Sequence, residues 1–222
     1  MWLSGGKNDE RRRSVTGSAP ICSLGRLPTR PRVEGGSPLE FGKGILMGKA
    51  AESGRFPTEE FKDLLSANKS YAANFKGSQL SGSAARGLAI VTCMDSRINP
   101  LAVVGMHSGD AKILRNAGAR VTEDVLRTLV LATYLLGVDR ILVMPHTDCR
   151  MAQSSEADIH GTIFEQYGVD TRSLEFRTDR DQRKALETDL IRIRSYPLLR
   201  SGVVVAGAIY DVSTGVLEPL DY

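Results

Sequence analysis

Four short apolar runs constrain this chain most: Leu88-Ala89-Ile90-Val91-Thr92, Ala111 to Leu114, Arg140 to Pro145 around Ile141-Leu142-Val143-Met144, and Val203 to Tyr210. The first, rich in apolar and β-branched residues with no polar alternation, reads as a central strand buried on both faces. Helical segments lie between the runs. Thr122 to Leu136 is the clearest: Thr122 caps it, Glu123 and Asp124 occupy its first turn, Val125, Leu129, Ala132 and Leu136 form one stripe, and Gly137 stops it. Asp181 to Tyr196 turns Leu186, Leu190 and Ile193 inward and ends before Pro197. Strands alternating with helices predict an α/β fold whose central sheet is mainly parallel, with about four parallel strands plus a short edge strand near Val216-Leu217, flanked by helices. Ligands of such sheets bind beyond the carboxyl ends of the strands.

Residues 1–55 read differently from residues 56–222, which form the folded domain. The first segment is rich in proline and glycine, carries Arg11-Arg12-Arg13, and has no apolar periodicity. It reads as a disordered extension that buries too little to offset its ordering entropy. Its Arg and Ser content also fits an organellar transit peptide, against which Asp9 and Glu10 argue; a third reading is a mis-assigned start, with the natural chain beginning at Met47. Order is predicted to begin with a helix capped by Thr58, with Glu59 and Glu60 in its first turn and Gly77 as its stop. Phe61, Leu64, Leu65, Tyr71, Ala72 and Phe75 give that helix an aromatic face, packed either on its own core or on a second subunit. Residues 151 to 180 are polar and weakly patterned, and read as short helical pieces or a loop over the site. A net charge of +3 with no basic, aromatic-interleaved block gives no reason to expect nucleic acid. No apolar run reaches the roughly 18 residues a membrane helix needs. The cysteine count of 3 and the lack of a secretory signal point to a reducing compartment, the cytoplasm.

Chemistry concentrates just beyond two of the strands, in Cys93-Met94-Asp95-Ser96-Arg97 and His146-Thr147-Asp148-Cys149. Cys93, His146 and Cys149 offer two sulfurs and a nitrogen, enough for three corners of a tetrahedral zinc site with the fourth left open. The competing readings are two inert buried cysteines or a long-range redox pair. A zinc ligand His146 needs an acceptor on its other ring nitrogen, which the sequence does not identify. His107 and His160 lack such neighbours and read as surface or helix-end residues. Asp95 and Arg97, two positions apart, point the same way on an extended chain and can pair. Beside a metal, Asp95 would orient the bound water and Arg97 would keep Asp95 ionised and turned away. Released, Asp95 becomes a fourth ligand and closes the site.

With Arg115-Asn116-Ala117-Gly118 between them, these motifs resemble the β-class carbonic anhydrases, in family order and at family-like separation, from about residue 57 onward. They are most similar to small bacterial members whose second motif reads His-Thr-Asp-Cys. The resemblance implies zinc on Cys93, His146 and Cys149, and Asp95 and Arg97 as a catalytic dyad. It implies a carbonate dehydratase, a lyase that reversibly hydrates carbon dioxide to bicarbonate and a proton by a zinc-bound hydroxide. It also implies a homodimer or tetramer, with the first helix reaching to its partner. Rival expectations are a carbonyl sulfide or carbon disulfide hydrolase on the same site, and a non-catalytic zinc protein closed by Asp95. One residue departs from the family pattern: Arg150 stands where glycine usually follows the second zinc cysteine. It either strains a backbone that needs positive φ or sets a cation beside the metal.

Overall fold

The computed structural model describes residues 56–221. The extension, transit-peptide and Met47 readings of the N-terminal segment fall outside them.

The elements are α1 (Lys62–Ala73), β1 (Leu88–Cys93), α2 (Pro100–Val103), β2 (Ala111–Asn116), α3 (Glu123–Leu135), β3 (Arg140–Met144), α4 (Arg150–Gln153), α5 (Glu156–Tyr167), α6 (Gln182–Arg194), β4 (Val204–Tyr210) and β5 (Leu217–Pro219). The sheet runs β2-β1-β3-β4-β5, with the first four strands parallel and β5 antiparallel to β4. This is the expected mainly parallel sheet with a short edge strand. All six residues of β1 are buried, as a central strand with both faces covered requires. The chain leaves β1 for β2 on one side and returns to β3 on the other, so the strand order reverses at β1. Such a reversal opens a crevice at the carboxyl ends, where α/β sheets bind ligands.

One face of the sheet is packed by α3 and α6. Val125, Leu126, Leu129 and Ala132 meet Leu186, Leu190 and Ile193 over Val91, Ile141, Val143 and Val205 in a single core cluster. Both helices start on side-chain caps, Thr122 accepting from Val125 N–H and Asp181 from Lys184 N–H. On the other face, Ile90, Ile98, Met144, Cys93 and Cys149 form a smaller cluster.

Three expectations need correction. The first helix begins at Lys62, with Phe61 rather than Thr58 at its cap position, and ends at Ala73, before Gly77. Thr58 does not cap: its hydroxyl donates back to the Phe56 carbonyl at 3.3 Å, and residues 58–61 form turns ahead of the helix. Its aromatic face does not pack on its own core: none of its residues is buried, and Leu64, Tyr71 and the following Phe75 are all more than half exposed. Residues 151 to 180 hold a full twelve-residue helix, α5, started by a capping box between Ser155 and Asp158. No α5 residue is fully buried.

Candidate metal centre

The ends of β1 and β3 are fixed before any ligand is considered. Thr92, fully buried, donates its hydroxyl to the Met144 carbonyl at 2.7 Å. Cys93 pairs in register with Asn116 of β2. Beyond β3 the chain stays beside β4: Tyr210 N–H donates to Pro145 and Thr147 N–H to Tyr210, each at 2.9 Å. Gln182 on α6 donates to the His146 carbonyl at 2.8 Å. His146 and Cys93 therefore face one another from neighbouring strand ends, and Cys149 follows as the cap residue of α4.

These three buried residues place their ligand atoms within 4.8 Å of one another. Nδ1 of His146 lies 2.7 Å from the Thr147 carbonyl, which supplies the missing acceptor and assigns the proton to Nδ1. Nε2 is then a buried acceptor, and among the described residues it is the buried side-chain nitrogen or oxygen with no hydrogen-bond partner. A buried polar atom is rarely left so. An orphaned imidazole nitrogen facing two sulfurs is the donor set of a tetrahedral zinc site with one corner free. The residues fit the metal. The inert-cysteine reading leaves Nε2 unexplained.

Without metal, the two sulfurs divide one proton. The Cys149 thiol donates to Cys93 and, with His146 and the N–H groups of Gly118 and Asp95, holds the Cys93 thiol far below its ordinary range. That thiolate, together with burial, pushes Cys149 upward. Burial alone would lower the His146 pKa; the neighbouring Cys93 thiolate outweighs it and raises it. The Gly118 N–H reaches Cys93 Sγ at 3.4 Å from a backbone with φ of 75°, a left-handed conformation that suits glycine.

Asp95 and Arg97 pair, but not on an extended strand. The Arg97 N–H donates to Asp95 Oδ1 at 2.9 Å, a tight Asx turn. The side chain folds back in the same direction, Nε to Oδ1 at 3.0 Å and Nη2 to Oδ2 at 2.7 Å. These bonds keep the Asp95 carboxyl far below the usual carboxylate range. Oδ2 lies 3.8 Å from His146 Nε2, so the carboxylate borders the metal-ligand group while Arg97 holds both its oxygens.

Arg150 opens α4 in ordinary helical conformation; the positive φ falls instead on Asp148, at 56°. The strain reading of Arg150 is removed. It lines the same pocket as Cys93, Asp95 and His146. His107 is exposed as expected, whereas His160 sits inside α5 with Nδ1 2.9 Å from the Thr171 hydroxyl, not at a helix end.

Several residues that hold the site were not assigned a role by sequence. Arg115 donates to the carbonyls of Cys93, Asp95 and Ile98 at 2.9, 2.5 and 3.2 Å, fastening the loop after β1. Asp148 accepts from Arg97 Nη1 at 2.8 Å. Arg120 reaches Asp189 of α6 at 2.7 Å. Arg115 and Asp148 lie within the quoted motifs, so a signal existed; Gln182 and Asp189 had none.

A family model described as carbonic anhydrase matches residues 88–217. A curated relative, β-carbonic anhydrase 1 of Mycobacterium tuberculosis, is 36% identical over 159 residues, covering 70% of this chain and 94% of its own. The crystal structure of carbonic anhydrase from Streptococcus mutans superposes with a TM-score of 0.68 at 35% identity, covering 72% of this chain and 97% of that one. A carbon disulfide hydrolase of Acidithiobacillus thiooxidans is 27% identical, covering 60% of this chain and 77% of its own.

Proposed function

Because this chain belongs to the β class of carbonic anhydrases, a family of zinc lyases, we propose that Cys93, His146 and Cys149 hold its zinc while Asp95 and Arg97 orient the reacting oxygen. The reaction is the reversible hydration of carbon dioxide to bicarbonate and a proton. Zinc supplies Lewis acidity that makes water a nucleophile near neutral pH. Asp95, ionised and fixed by Arg97, accepts a hydrogen bond from the attacking oxygen and turns a lone pair toward the carbon. Ala117 and Met151 contribute apolar wall beside the ligands, a surface suited to carbon dioxide. Arg97 holds both Asp95 oxygens away from the ligand group; without it, Asp95 would be able to take the fourth position. Arg150 adds a cation at the same pocket, suited to an anionic product.

The observation that carries this reading is the unpartnered, buried Nε2 of His146 among two sulfurs. The unpacked aromatic face of α1 supports a homodimer, itself open to pairing into a tetramer, in which a second copy covers it. No helix among the described residues is long and apolar enough to cross a membrane. Thiolate ligands need reduced cysteines, which supports a cytoplasmic setting.

The test is stopped-flow carbon dioxide hydration by zinc-loaded protein, beside Cys93→Ser and Asp95→Asn. A rate well above buffer, abolished by Cys93→Ser and reduced at least a hundredfold by Asp95→Asn, is expected. Turnover of carbon disulfide or carbonyl sulfide without carbon dioxide hydration would refute the substrate. Full activity in Asp95→Asn would refute the role of the dyad.

A further inference from the structure

We propose that Asp148 is a positioning residue that fastens the two ligand-bearing loops together through Arg97, and so sets how tightly the chain retains zinc. The inference rests on the Cys93, His146 and Cys149 ligand set above.

The loop after β1 carries Cys93, Asp95 and Arg97; the loop after β3 carries His146, Asp148 and Cys149. The Arg97 guanidinium links them. Its Nε and Nη2 engage Asp95 on its own loop. Its Nη1 donates to Asp148 Oδ2 at 2.8 Å, and Nη2 also reaches the Asp148 carbonyl at 3.3 Å. The other Asp148 oxygen accepts from Gln153 Nε2 of α4 at 2.7 Å. A single planar group thus fixes two carboxylates, one from each half of the site. An isolated ion pair this exposed is worth little; a guanidinium held in a fork by one carboxylate and by a single bond to a second, itself anchored by Gln153, is a network.

The backbone is compatible with this role. Asp148 holds a φ of 56°, a left-handed conformation that Asp and Asn adopt more readily than most residues with a side chain. That turn aims Asp148 at Arg97 from the position just before Cys149. Loosening it frees the loop that bears two of the three ligands.

The test uses Asp148→Gly, which keeps the turn and removes the carboxylate, and Asp148→Asn, which tolerates the turn and keeps the shape without the charge. The readouts are the rate of zinc transfer from the full-length protein to a chelating dye and the urea midpoint of the metal-free protein. Asp148→Gly should release zinc about tenfold faster or more, the usual range for a group that supports metal ligands. Asp148→Asn should fall between it and the wild type, and both metal-free midpoints should stay at the wild-type value. Unchanged release in both variants overturns the proposal. So does a metal-free midpoint that drops enough to account for faster release, because Asp148 would then serve the fold alone. Zinc release is independent of turnover. If the wild type binds zinc yet fails to hydrate carbon dioxide, the reaction assigned above falls and this one stands.

Discussion

Replacing Arg120 with methionine tests the packing behind the metal centre. Arg120 follows the Ala117–Ala119 turn whose Gly118 N–H reaches Cys93. Its Nε donates to Asp189 Oδ2 at 2.7 Å and its Nη1 to the Arg177 carbonyl at 2.9 Å. The side chains are 16% and 5% exposed, so water replaces little of what the substitution removes. Methionine fills the volume of the stem but leaves Asp189 as an uncompensated buried acceptor. Removing one partner of a buried pair costs about 3–5 kcal/mol. At roughly 2–4 °C per kcal/mol for a domain of this size, Tm falls by roughly 6–20 °C. Urea unfolding of metal-free protein at one fixed concentration measures the loss without linkage to zinc and with any contribution from association held constant. The double variant Arg120→Met, Asp189→Leu should recover much of it, since an apolar replacement for both partners removes the orphan. A loss under about 1 kcal/mol in the single variant, or a double variant no more stable than the single, would refute the account of this pair.

Two further outcomes are expected. Glu156 accepts the N–H groups of Phe176 and Thr178, each at 3.0 Å, which hold its carboxyl below the ordinary glutamate range. A depressed folded pKa stabilises fully above the unfolded value of about 4.3 and less as pH falls through the folded one. The stability gap between wild type and Glu156→Gln should therefore be constant from about pH 6 to 8 and close below about pH 4; a gap that persists in acid refutes the link. Titration with a thiol reagent should find Cys93 and Cys149 unreactive in zinc-loaded native protein and reactive after chelation, and equal reactivity in both states would argue against thiolate ligation.

The strands were legible because burial on both faces leaves a plain mark: β1 is apolar from Leu88 to Val91, and Thr92 spends its hydroxyl on Met144. The ligands were legible because two cysteines and a histidine sat at strand ends that a parallel sheet brings together. The Asp95–Arg97 pair was found for the wrong geometric reason, since an Asx turn replaced the extended chain. Helix α5 was missed because its residues are at most partly buried and its apolar positions, Ile159, Ile163 and Phe164, are interspersed with His160, Gly161 and Thr162. Gln182 and Asp189 act through a backbone carbonyl or a distant side chain. Such partners depend on the completed fold and leave no spacing rule in the sequence.

Because Cys93 and His146 become neighbours only through the parallel pairing of β1 with β3, metal capture is ordered in time. A growing chain presents Cys93 first, alone, and cannot chelate with it. His146 and Cys149 emerge together after β2 and α3, and form at best a two-toothed claw. All three ligands meet once the crossover has closed, the slow, non-local step in such topologies. On the proposed ligand set, three-point zinc binding would require that closure, so metal affinity and completion of the fold are coupled.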